Sequence, residues 1–300
     1  SFETNETFYF NGASIFSFDK AVIQNHSRKC RRMPVAFVGK SIDIKQEDVI
    51  IPLSEDYGEN ILLLGLNDEY QSTRTSMNIM ISLLATCKSR EADTDFIVID
   101  CLTDDDKYAE LVDELADSGL VDVIAPRKRS QFFKQLADDI LSENAKETIL
   151  FILGQDRFRE LKMDMTFETV DDSDLMRIGL GSSSKLKSVN TMQEALNVIL
   201  DKGPEFGVHT IIQLEKASNY LFNDCTTLKE IYQKFQHLIL LKSDENAATK
   251  LKLKSDIKLE DLSKDEERLR AYYYSEESDT YTLFTPYMPY EGKELKQFIK

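Results

Sequence analysis

Residues 59–84, ENILLLGLNDEYQSTRTSMNIMISLL, constrain the fold more than any other part of the chain. Ile61, Leu62, Leu63 and Leu64 form an uninterrupted apolar run, long enough for a strand buried on both faces. Gly65 ends the run. From about Ser72, the apolar residues Met77, Met80, Ile81 and Leu84 recur at helical spacing, and Ser72 or Thr73 is placed to cap the first turn.

Similar units repeat along the chain. Short strands are expected at 34–39 and 49–53, leading into the central one through a turn at 55–58. Further strands are expected at 96–100, 121–124, 148–153, 208–213 and 237–241. Helices are expected at 107–116, 132–141, 192–200 and 228–235, the third stopping at Gly203-Pro204. Residues 171–184 read as a surface loop, and 269–274 with 280–284 as a closing hairpin around acidic residues. Residues 1–33 read as an irregular lead or linker, first aromatic (Phe2, Phe8, Tyr9, Phe10, Phe16, Phe18), then basic (His26, Arg28, Lys29, Arg31, Arg32). One domain over 34–300 follows. Alternating βα units predict an α/β fold with a mostly parallel central sheet and helices on both faces. Ligands in such folds bind at the carboxyl ends of strands, where Gly65, Asp100, Gly154 and Gln213 fall.

A strand, a loop and a helix start are the parts of a phosphate-binding loop. Its glycines let backbone N–H groups wrap the phosphates, a lysine reaches them, and Ser or Thr holds magnesium. With the pattern G-x-x-x-x-G-K-[ST] laid on Gly65, the second glycine falls on Tyr70 and the lysine on Gln71. Only Ser72, followed by Thr73, fits. Asp68 and Glu69 bring negative charge where phosphates would lie. The second element of a nucleotide hydrolase is a buried strand ending in Asp-Glu. Here residues 149–153 run into Gly154 and Gln155, with Asp156 two residues late. A neutral glycine cannot hold magnesium, and glutamine is no general base. ATP and magnesium are therefore disfavoured as cofactors, and no catalytic residue or metal ligand is assigned.

Composition narrows the classes further. With 300 residues and 42% hydrophobic content the chain can bury a large core. A net charge of −16 opposes non-specific nucleic-acid binding by the chain as a whole. Cys30, Cys87, Cys101 and Cys225 are widely spaced without a CxxC pair, which disfavours zinc. Cys87 and Cys101 sit in apolar-patterned stretches and read as reduced core thiols, pointing to a reducing compartment. No apolar run reaches about 18 residues, so no segment here is expected to span a membrane. The start at Ser1, without methionine, predicts a piece excised from a longer protein.

Residues 203–213, GPEFGVHTIIQ, resemble a segment of FtsK/SpoIIIE translocases in which Gly-x-His leads a strand towards Thr-Gln-Arg-Pro. Gly207 and His209 match; Leu214, Glu215 and Lys216 stand in the place of Thr-Gln-Arg. Residues 235–250 and the closing hairpin with Leu283 to Tyr287 are similar to the strands that follow in that family. The resemblance covers about residues 34–289 and rests on the order of several weak motifs. It is nearest to degenerate C-terminal ATPase modules, in which Gly-x-x-Arg-x-Arg, similar to Gly154, Arg157 and Arg159 here, replaces the Asp-Glu. The tandem modules of EssC-like type VII secretion proteins are of this kind. The resemblance implies a RecA-like P-loop NTPase fold and a cytoplasmic module, tethered to a membrane, if at all, through other parts of the protein. It implies as partners other ATPase modules of the same longer chain and a homo-oligomer, with DNA or a secreted protein handled by the assembly.

For single residues a structural role is favoured over a chemical one. Arg157 and Arg159 suit either a neighbour's nucleotide or ion pairs with Glu160 and acidic loops. His209 has no Ser or Cys nucleophile patterned with it and reads as a positioned imidazole. Asp100 reads as a helix cap rather than a metal ligand, and Tyr272, Tyr273 and Tyr274 as packing residues rather than a base-stacking platform. The basic cluster around Arg28 to Arg32 reads first as a solvated charge run; a docking surface for DNA or protein, there or around Arg127 to Arg129, is the alternative.

Overall fold

A computed structural model describes residues 15–167, 189–217, 234–251, 253–265 and 268–289, with Leu295 and Ile299. The expected loop at 171–184, Cys225 and nearly all of the expected helix at 228–235 lie outside these residues. The described strands are β1 (Phe16–Ser17), β2 (Val35–Ser41), β3 (Asp48–Pro52), β4 (Ile61–Leu64), β5 (Asp95–Asp100), β6 (Asp122–Val123), β7 (Thr148–Leu153), β8 (Val208–Leu214), β9 (His237–Leu240), β10 (Ala271–Ser275) and β11 (Thr280–Met288). They form one sheet in the order β3-β2-β11-β10-β9-β4-β8-β7-β5-β6, with β1 beside β11. From β9 to β6 every pairing is parallel. From β9 through β10 and β11 to β3 every pairing is antiparallel.

The parallel half has helices on both faces, as the βα alternation predicts. In β4, Ile61 and Leu63 join one core with Met77, Met80 and Ile81, while Leu62 and Leu64 join the other with Phe133 and Leu196. Successive strand side chains point to opposite faces, so an unbroken apolar run feeds two cores at once. The helices over the first core are α3 (Gln71–Ser89) and α4 (Ala109–Asp117). Those over the second are α5 (Pro126–Leu141) and α7 (Met192–Lys202), with the short α6 (Arg159–Lys162) before α7. Buried Asn60 ties the start of β4 in place: its amide donates to the carbonyls of Leu200 and Lys234 and accepts from Thr210 N–H.

The strands expected at 34–39 and 49–53 form as β2 and β3 and precede β4 in the chain, without lying beside it in the sheet. Both sides of β4 are taken by β8 and β9, so β2 and β3 pair as a hairpin at the far antiparallel edge. The lead is not irregular where it is described. After β1, Asp19 caps helix α1 (Lys20–Asn25), α2 (Ser27–Cys30) follows, and Phe18, Val22 and Cys30 are buried in the first core. Among the described residues no helix is long and apolar enough to cross a membrane.

Candidate phosphate loop

The loop at residues 65–70 joins β4 to α3 at the carboxyl end of the sheet. Gly65 is required by close approach: a Cβ there would lie 2.5 Å from the Cβ of Leu241. Its N–H donates to Leu214, and that of Leu66 to Lys242, so both extend the sheet. Tyr70 takes the left-handed conformation, φ 58°, where the motif calls for glycine. Its hydroxyl donates to the Asp105 carbonyl at 3.0 Å. Tyr70, not Ser72 or Thr73, is the residue before the first turn of α3, and it makes no side-chain cap bond.

The loop is closed by its own side chains. The Gln71 amide oxygen turns back to accept from Glu69 N–H at 3.0 Å. The Asn67 amide oxygen accepts from Thr73 N–H at 3.0 Å. Asn67 Nδ2 and Thr73 Oγ1 both donate to one carboxylate oxygen of Asp106, at 3.0 and 2.8 Å. Gln213 donates to Thr73 Oγ1 at 3.3 Å, which joins the end of β8 to the loop. Ser72 Oγ and Gln71 Nε2 are buried without a hydrogen-bond partner. Asp68 and Glu69 face Lys264 Nζ at 3.6 and 3.3 Å.

At the end of β7, Gly154 is left-handed (φ 62°), and a Cβ there would come 2.7 Å from the carbonyl oxygen of Cys101. Gln155 is fully buried, with both polar side-chain atoms unpartnered. Asp156 is turned to β8: one oxygen accepts from Glu215 N–H at 2.6 Å. Arg157 pairs with Glu215 at 2.6 Å. Glu160 faces Arg129 instead, at 3.7 Å, and Arg159 is exposed.

ATPases 2 and 3 of Thermomonospora curvata EccC, solved in complex with a signal sequence peptide, match with a TM-score of 0.56 at 11% identity, over 97% of this chain and 49% of that one. The two chains share a fold, a mixed α/β sheet with helices on both faces. This chain thus spans about half the length of the EccC chain. Two fainter likenesses are too distant to carry an inference. The cytoplasmic domain of EssC matches with a TM-score of 0.46 at 13% identity, over 85% of this chain and 43% of that one. The genome packaging NTPase B204 from Sulfolobus turreted icosahedral virus 2, with ATP-gammaS, matches with a TM-score of 0.42 at 12% identity, over 78% of this chain and 100% of that one. No family model and no curated protein matches the sequence.

Within this fold, the residues expected at the site separate into two groups. Gly65, Gln71, Ser72, Thr73 and Gln213 meet at the loop, and Gly154 and Gln155 end the strand beyond β8. His209 does not join them. It lies roughly 13 Å along β8 from Gln213, and its Nδ1 is 2.8 Å from the Glu59 carbonyl oxygen. Asp100 caps no helix, because α4 starts later, at Ala109. Its carboxylate accepts from Leu102 N–H at 2.9 Å within a turn, and burial pushes its carboxyl up. Arg129 is not a docking residue either: it is buried and donates to the Asp100 carbonyl at 2.6 Å. Arg28, Lys29, Arg31 and Arg32 are exposed.

A magnesium triphosphate fits this donor set poorly. The loop amides of Glu69 and Thr73 are already bonded, no lysine follows Tyr70, and a carboxylate lies against Thr73. Asn67, Asp106 and Lys264 were not among the expected site residues. Asn67 was legible as a side chain inside the motif's variable stretch. Asp106 and Lys264 arrive from separate loops, which no spacing rule connects to Gly65.

Proposed function

We propose that this chain is a non-hydrolysing, ATPase-like module acting as scaffold or regulatory domain of a larger secretion or DNA-translocating motor. The observation that carries the reading is the internally bonded phosphate loop, in which Gln71 and Asn67 take up the amides a phosphate would need. The bare end of β7, where Gly154 and Gln155 offer neither a magnesium ligand nor a base, supports it. Its partners would be other ATPase modules of the same longer chain, in a cytoplasmic assembly that oligomerises and handles DNA or a secreted protein. The purified chain is expected to show no ATP turnover above background. Turnover abolished by Ser72→Ala or Asp156→Asn would overturn the reading.

The unpartnered Ser72 hydroxyl favours a second reading, a nucleotide-binding module with a non-standard site. A ligand bound only by the folded state raises Tm by an amount that grows with the logarithm of its concentration above Kd. The first reading expects no shift at millimolar ATP and magnesium, and the second expects a rise that grows with nucleotide concentration.

A further inference from the structure

We propose that the cavity at the amino ends of β7 and β8 is a binding site for a small α-amino acid, held as the zwitterion. The cavity has a volume of about 250 Å³ and lies at the opposite end of the sheet from the β4–α3 loop. It forms where the end of α3 and the segments before β7 and β8 meet the start of β2 and the end of β3. Sites for drug-sized molecules run to roughly 300–1,000 Å³, so this one suits a smaller ligand.

The deciding group is His209, which lines the cavity and is 1% exposed. Its Nδ1 faces the Glu59 carbonyl oxygen, which can only accept, so Nδ1 carries the proton. Burial favours the neutral ring. A neutral ring protonated on Nδ1 has a bare lone pair on Nε2, directed away from Glu59. Among the described residues Nε2 has no hydrogen-bond partner. The charged groups sort in the same way. Arg90 and Glu147 spend their charges on each other, through Nη1–Oε1 at 3.2 Å and Nη2–Oε2 at 2.8 Å, and the Thr94 hydroxyl adds a bond to Glu147. Arg32 and Glu55 are exposed and, among the described residues, neither has an ion-pair partner. The uncommitted groups are one cation, one anion and one buried lone pair. A carboxylate answers the Arg32 guanidinium, and an ammonium answers the other two, donating to Nε2 and neutralised by Glu55. A phosphate or dicarboxylate would leave the lone pair without a donor and would meet Glu55. Met33, Pro34 and Leu53 add apolar wall, which suits an aliphatic side chain.

The test is nitrogen-15 NMR of the full chain labelled at histidine, which reports three imidazoles. The His209 signals are assigned by their loss in His209→Gln, or by elimination with His26→Gln and His237→Gln. Without ligand, His209 is expected to carry its proton on Nδ1 and to show a bare Nε2. L-Valine is expected to move the Nε2 signal saturably upfield, as happens when a ring nitrogen begins to accept a hydrogen bond, and to leave His26 and His237 in place. Arg32→Ala is expected to raise the valine concentration at half-saturation by about tenfold or more, through loss of one charge-assisted bond. Isovalerate, which lacks the ammonium, is expected to leave Nε2 unmoved. Isobutylamine, which lacks the carboxylate, is expected to act only at concentrations as high as Arg32→Ala needs for valine. A His209 signal indifferent to valine up to millimolar concentration would overturn the proposal. So would an equal response in Arg32→Ala or to either fragment, or a proton on Nε2 in the free chain.

Discussion

His209 illustrates how a residue matched to a motif can be held for reasons of packing. It is buried against the Glu59 carbonyl at the amino end of β8. Burial pushes its imidazole below the ordinary 6.5, against the Glu59 carbonyl bond and the charges of Glu59 and Glu147, while His237 acts in the same sense as burial. The folded chain thus keeps His209 neutral where the unfolded chain would protonate it. Its contribution to stability is whole above pH 6.5 and falls as pH drops below 6.5 towards the folded value. One proton of difference gives a slope of up to about 1.4 kcal/mol per pH unit. His209→Gln retains an amide donor for Glu59 and cannot titrate. Urea unfolding between pH 7.5 and 5 is expected to show wild type losing stability more steeply than the variant. Parallel slopes would mean that His209 is not held neutral.

At the scale of elements, α3 carries the least expected chemistry. Its face towards β2 is polar yet buried: Ser82 Oγ accepts from Phe37 N–H, Asn78 donates to the Phe37 carbonyl, and the Thr86 hydroxyl lies 3.1 Å from both the Val35 and the Leu83 carbonyl, to either of which it can donate. The β2–β11 pairing covers only residues 39–41 of β2, so these side chains serve backbone groups the ladder leaves open. Thr86→Val keeps the volume and strands the Val35 carbonyl. A loss of about 1–3 kcal/mol is expected from denaturant unfolding, the usual cost of a buried unsatisfied group. A loss below about 0.5 kcal/mol would mean that the bond is immaterial. Nothing in the helical period of Met77, Met80 and Ile81 foretold this, because periodicity reports which residues are buried and not what polar ones bond to. The parallel strands were legible for the opposite reason. Runs such as those at β4 and β7 must be covered on both faces, and the βα alternation leaves few ways to do it. The loop frame was legible from Gly65 and Ser72. Its closure by Asp106 was not, since that contact spans 33 residues of sequence.

At the scale of the whole molecule, the antiparallel strands are an extension of the sheet rather than a separate unit. The first core contains Phe37 and Ile51 of β2 and β3, Phe284 and Tyr287 of β11, and Ile61, Val98 and Phe151 of the parallel strands, together with Met77, Met80 and Ile81 of α3. A helix packed under both halves cannot leave one without exposing the other. The chain has no tryptophan, so aromatic signals come from tyrosine and phenylalanine, and Tyr272, Tyr273, Tyr274, Tyr281 and Tyr287 all lie in β10 and β11. Five of the twelve tyrosines thus report on the antiparallel half in near-ultraviolet dichroism, while far-ultraviolet dichroism weights the helices. In urea the two signals are expected to fall together at one midpoint, and Thr86→Val is expected to move both by the same amount. An earlier midpoint for the tyrosine signal would mean that β10 and β11 unfold apart from the parallel half. The shared core beneath α3 would then not be what couples the two halves.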